Sequence, residues 1–120
     1  MKRIILIAVC LASLALASTA CTRTTSSLAA IRANFPGSQY DKAVRVARCE
    51  SGLDPAAVSP GGGNWGLFQI NTVHKTTVAR LGYSWTQIRN PYVNARVARY
   101  IYDDAARRGS GWAPWTCRYA

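Results

Sequence analysis

Cys49-Glu50-Ser51-Gly52-Leu53-Asp54-Pro55-Ala56-Ala57-Val58-Ser59 leads through a glycine-rich loop into Asn64-Trp65-Gly66-Leu67-Phe68-Gln69-Ile70-Asn71, and the reading of the chain turns on this stretch. Glu50 is the only glutamate among 120 residues, and Asp41, Asp54, Asp103 and Asp104 are the only other acids. Few groups are therefore on hand for acid/base chemistry. Glu50 falls at the end of an expected helix, where the negative end of the macrodipole acts on a carboxylate. Burial beside apolar groups acts in the same direction. Both disfavour the ionised form, which suits a proton donor. Helix C-termini favour basic residues, so no structural reason recommends a glutamate here.

Upstream, Tyr40, Ala43, Val44 and Ala47 recur at i, i+3, i+4 and i+7, which predicts an amphipathic helix running to about Glu50. Ser38 and Asp41 offer a capping box for its start, and Gly52 offers its stop. Residues 28–35 read as a short helix halted at Pro36-Gly37, and the Thr/Ser-rich segment 22–27 reads as a linker. Downstream, 53–63 is loop, and 66–71 is a short apolar strand or turn. Residues 72–81 form a helix closed by Gly82, and Ser84 caps a single turn through Ile88. Asn90-Pro91 opens a long helix with Val93, Val97, Tyr100 and Ile101 on one face. The expected fold is mainly α, with a short β-hairpin or irregular loop lining a cleft.

Lys2 and Arg3 precede an uncharged apolar run over 4–17, about 14 residues long, the pattern of an export signal. The run is short for a membrane span, which takes about 20 residues. The expected division is a signal peptide over 1–20, a linker and short helix over 21–37, and one domain over 38–120. Cys10 leaves with the signal, so Cys21, Cys49 and Cys117 remain. Cys49 and Cys117 bracket the domain and are natural disulfide partners. Two readings stand for Cys21. Acylation, as in a bacterial lipoprotein, would tether the chain to a membrane, although Ser18 occupies a place where such sites usually carry Leu. Ordinary cleavage after Ala20 would leave a free thiol. Either way the chain is expected outside the cytoplasm, in the periplasm or cell envelope.

Setting Lys2 and Arg3 aside leaves 13 basic residues against 5 acids, a net +8. Such a surface favours anionic wall polymers or membrane surfaces, and an exported chain makes nucleic acid a poor partner. His74 is the only histidine and is expected in a solvated helix. A metal site or other cofactor is not expected, because the cysteines are committed elsewhere. Gly61-Gly62-Gly63 lacks the Lys-Ser/Thr of a phosphate-binding loop. Loop aromatics (Trp65, Tyr83, Trp85, Tyr92, Trp112, Trp115, Tyr119), the amides of Gln69 and Asn71 and one acid together fit a carbohydrate cleft. Each aromatic alone reads as core packing.

The blocks from Glu50 to Ser59 and from Gly66 to Ile70 resemble the signature of the soluble lytic transglycosylase domain of the lysozyme-like superfamily. Asn90-Pro91, Asn94 and the helix carrying Tyr100 resemble the segment that follows, so the likeness covers about 38–117. Cys49-Glu50-Ser51-Gly52, with the terminal Gly-Trp-x-x-Trp-x-Cys, also resembles the resuscitation-promoting-factor domain, whose two cysteines form a disulfide. The chain departs from the first pattern in carrying Phe68 where that family has Met, and in its glycine-rich loop 61–63. Residues 64–71 also resemble animal-type lysozymes, which carry a catalytic Asp where this chain has Asn64.

These resemblances imply a small lysozyme-like domain acting on peptidoglycan glycan strands. Glu50 would serve as acid and then base at the β-1,4 bond between N-acetylmuramic acid and N-acetylglucosamine, leaving a 1,6-anhydro product. Ser59, Gln69 and Asn71 would position the sugar, with Asn64 and Phe68 in the same block. Trp65 or Trp112 would stack on it, and Tyr100 would come from the later helix. The alternatives are a muramidase that hydrolyses the same bond and a non-catalytic wall-binding domain.

Overall fold

The computed structural model describes the backbone of residues 2–120 and the side chains from Ala17 onward. Four helices, α1 (Lys2–Asn34), α2 (Tyr40–Ser51), α3 (Lys75–Arg80) and α4 (Pro91–Ala106), surround a two-stranded antiparallel hairpin, β1 (Asn64–Trp65) and β2 (Ile70–Asn71). Short 3-10 turns at Gly37–Gln39, Thr72–His74 and Trp85–Arg89 join them. The mainly helical architecture with a short hairpin is the one anticipated.

The region before Tyr40 differs from the reading of 22–27 as a linker, because these residues continue α1. Thr22, Thr24 and Thr25 donate their hydroxyls to the carbonyls four residues back, at 3.0–3.1 Å. Their polar groups are thus satisfied without leaving the helix. Ser27 is fully buried and donates to Leu53 O at 2.9 Å. Ala30, Ile31 and Phe35 lie in the core, so the packed unit reaches back to Ser27 rather than beginning at Ser38. The export segment expected over 1–20 rests on side chains that mostly lie outside those described. Among the described residues, no helix is long and apolar enough to cross a membrane.

Two expected helix starts fare differently. Asn90 Oδ1 accepts from the amides of Tyr92 and Val93, at 2.9 and 3.3 Å, and Pro91 takes the first turn of α4. Ser38 does not cap α2, because the 3-10 turn at Gly37–Gln39 delivers the chain into the helix already wound. At its other end, α2 stops at Gly52 in the left-handed region, φ 66°, a conformation glycine adopts without a Cβ penalty.

The two sequence blocks meet through side chains. Ser51 Oγ donates to Leu67 O at 2.7 Å, fastening the end of α2 to the hairpin turn. Asn94, fully buried on α4, holds the same turn from the other side. Its Oδ1 accepts from Phe68 N at 2.8 Å, and its Nδ2 donates to Trp65 O at 3.0 Å and Ile88 O at 2.9 Å. Gly66 is glycine for two reasons. Its φ is +78°, and a Cβ there would collide with the Asn94 amide and Ile88 O. Beneath the turn, Phe35 packs on Phe68 and Trp112 with ring centroids 5.4 and 5.3 Å apart, and Trp112 packs on Trp115 and Tyr102.

Replacing Asn94 with Ala strands the Phe68 amide and two carbonyls in a dry interior. The expected loss of stability is about 3 kcal/mol, read as a lower midpoint in urea unfolding. A midpoint within error of wild type would show that the latch is dispensable.

Candidate active site

A cleft of about 430 Å³ opens where α2, the hairpin, α4 and the C-terminal tail converge. Its lining includes Glu50, Asn64, Gln69, Asn71, His74, Trp115 and Thr116. Glu50 projects from the last turn of α2 and is half-buried. Its Oε1 accepts the backbone N–H of Cys117 at 3.0 Å, and Oε2 has no hydrogen bond among the described residues. The disulfide between Cys49 and Cys117 joins the residue before Glu50 to the residue whose amide holds it. It closes a loop of 68 residues, which disfavours the unfolded chain by about 4 kcal/mol in the chain-entropy treatment.

Asn64 and Asn71 face each other across the hairpin, and Asn71 Nδ2 donates to Asn64 Oδ1 at 3.0 Å. Asn71 Oδ1 accepts from Val73 N and starts the 3-10 turn that follows. Gln69 has a positive φ of 49°, a backbone state costly for a side-chain-bearing residue. Its Nε2 donates to Gly66 O at 3.0 Å and Ala57 O at 3.3 Å, leaving Oε1 without a partner among the described residues. Leu53, in the first block, is the other non-glycine residue with positive φ among those described.

Five expected sugar contacts lie outside the cleft lining. Phe68 is fully buried under the hairpin turn, where no sugar reaches it. Trp112 is absorbed into the aromatic stack with Phe35, Tyr102 and Trp115. Tyr100 is exposed on α4 outside the cleft, because the buried face of that helix runs through Asn94, Val97, Ala98 and Ile101. Ser59 acts one step back, its hydroxyl accepting from Asn64 N at 3.0 Å. Trp65 follows Asn64 but packs against Trp85 and is not part of the cleft lining.

The acids follow a simple division. Asp103 pairs with Arg99, and Asp104 with Arg107 and Arg108. Asp54 Oδ1 accepts from Ala56 N at 2.9 Å and shapes the turn after α2. Glu50 is therefore the one carboxylate of the cleft lining among the described residues. Among those residues, no group of three His, Cys, Asp or Glu side chains forms a metal-sized cluster.

His74, expected to be solvated, is half-buried in the cleft wall. The 3-10 turn explains this, since residues three apart eclipse in such a turn and His74 lies three beyond Asn71. Burial pushes its imidazole below the ordinary 6.5, so it is neutral at neutral pH. The folded value lies below the unfolded one. The stabilising contribution is thus complete above about pH 6.5 and is lost as pH falls through the lowered value. From about pH 7 to about pH 5, wild-type melting temperature should fall more steeply than that of His74→Gln. Parallel curves would contradict this.

Comparison with known proteins bears on this site. None of the curated proteins and none of the solved structures compared with the chain gives a significant match. The family described as a lysozyme-like domain matches residues 27–117. The match begins at Ser27, where the packed unit begins, and ends at Cys117, where the disulfide closes it. With most of its length, both motif blocks and the cleft inside that match, the chain belongs to the lysozyme-like domain family.

Proposed function

We propose that this lysozyme-like domain is an exported lytic transglycosylase. It would cut the β-1,4 bond between N-acetylmuramic acid and N-acetylglucosamine and release a 1,6-anhydro end. Family membership suggests glycosidase activity directed at peptidoglycan. The observation that carries the finer reading is the single carboxylate of the cleft lining. Two-carboxylate glycosidases place a second acid across the scissile bond. Here Asn64 stands at the corresponding sequence position, with its Oδ1 committed to Asn71.

The chemistry then runs through one residue. Glu50 gives its proton to the glycosidic oxygen, and the bond to the anomeric carbon breaks. The carbonyl of the muramic N-acetyl group stabilises the positive charge that develops there. Glu50, now a carboxylate, takes the proton of the muramic C6 hydroxyl as that oxygen closes on the anomeric carbon. The proton count balances and no water is consumed. The Cys117 amide holds Oε1 in place throughout, and Gln69 Oε1 is available to a sugar hydroxyl. Basic charge on an exported chain suits an anionic wall, and Cys21, exposed and unpaired on α1, is the candidate for acylation.

One observation favours hydrolysis instead. A neutral His74 in the same cleft is the kind of group that activates a water, which would make the protein a muramidase. Mass spectrometry of digested peptidoglycan separates the two readings. Anhydro-muramic ends are expected, and reducing ends that disappear in His74→Gln would establish the hydrolase. Glu50→Gln should lower cleavage by about 10²- to 10⁴-fold while leaving the melting temperature near wild type. Undiminished cleavage would remove Glu50 from its role.

A further inference from the structure

Both walls of the cleft run on into a second groove of about 530 Å³. On α4, Ile101 belongs to the cleft lining, while Ala105 and Arg108, four and seven residues further on, line the groove. Residues at that spacing share one helix face, so a single stripe of α4 serves both. The other wall is the C-terminal tail. Trp115 and Thr116 line the cleft, Ala113 lines the groove, and Pro114 lines both. Gly109 and Ser110 complete the groove. The tail is fixed in this place from two directions. Trp115 Nε1 donates to Phe68 O at 2.9 Å. Gly111 is buried against the Tyr102 ring of α4, where a Cβ would collide.

We propose that this groove is a further sugar-binding subsite, which receives the part of the glycan strand that leaves the cleft past Pro114. This rests on the reading of the cleft as a peptidoglycan site. A strand cut away from its ends must run out of the cleft in both directions, and the groove is continuous with the cleft along two walls. Its lining suits a sugar. Ala105, Gly109, Ala113 and Pro114 leave a small, smooth surface for C–H groups, and Arg108 and Ser110 bring the polar ones. Ser110 Oγ has no hydrogen bond among the described residues. Arg108 pairs with Asp104 through Nη1, and a guanidinium carries more N–H donors than that pair uses. A contact this far from the scissile bond acts on ground and transition states alike, so it lowers KM and leaves kcat as it was.

The test compares a tetrasaccharide with an octasaccharide of the glycan strand, both stripped of stem peptides by an amidase, with KM corrected for the number of scissile bonds. Wild type should show KM about five-fold lower on the octasaccharide at equal kcat, the effect of one net hydrogen bond or one buried methylene. Ala113→Trp fills the groove from an exposed position. It should raise KM on the octasaccharide to the tetrasaccharide value, with tetrasaccharide kinetics and melting temperature near wild type. Ala106→Trp, exposed on α4 outside the groove, should keep the wild-type preference. An Ala113→Trp variant that keeps the preference would overturn the proposal, as would one that loses activity equally on both fragments. Dimerisation of wild type that Ala113→Trp abolishes would give the groove to a second copy and overturn it as well. If wild type cleaves both fragments with equal KM, the subsite alone has failed. If it cleaves neither, the cleft reading has failed and the subsite falls with it.

Discussion

The carboxamide of Asn94 is the constraint on which the arrangement depends. One buried side chain answers an amide and two carbonyls drawn from both sides of the hairpin turn and from the chain ahead of α4. Without it, the backbone around Gly66 to Phe68 would carry unmet polar groups into an apolar interior, a cost that weakens this packing. With it, the turn can sit against α4 closely enough that only glycine fits at 66. Ser51 then ties the turn to α2. Glu50 is thereby set beside Asn64, Gln69 and Asn71 by three anchored elements rather than by the strands, which are two residues long and could not hold a register alone.

Much of this was legible in the sequence. Glu50 announced itself by scarcity, Asn90-Pro91 by cap chemistry, and Gly52 by the need for a left-handed stop. The pairing of Cys49 with Cys117 was likewise open to counting. These signals are local, or they depend on numbers of residues, so one sequence carries them. The hairpin could be placed but not distinguished from a turn, because so short a segment has no periodicity to read.

What escaped were decisions made by tertiary contacts. Threonine-rich 22–27 looks like a linker until its hydroxyls turn back on their own helix and Ser27 finds Leu53 O across the core. Phe68 and Trp112 have the chemistry of sugar platforms, but the space under the hairpin needed filling, and Phe35 supplied a surface to fill it against. His74 was misplaced because the segment 72–81 begins as a 3-10 turn, which rotates its side chains relative to an α-helix of the same sequence. In each case burial decides the outcome, and burial is a property of the neighbours.

The linkage of Glu50 to Cys117 reaches beyond geometry. The residue that hydrogen-bonds the carboxylate is the one whose sulfur is bonded to the carboxylate's own sequence neighbour. Disulfides persist only in oxidising surroundings. A chain held reduced would therefore keep the Glu50 carboxylate without the covalent tie that carries the Cys117 amide to it. The order of this part of the cleft is thus coupled to the thiol state of its surroundings.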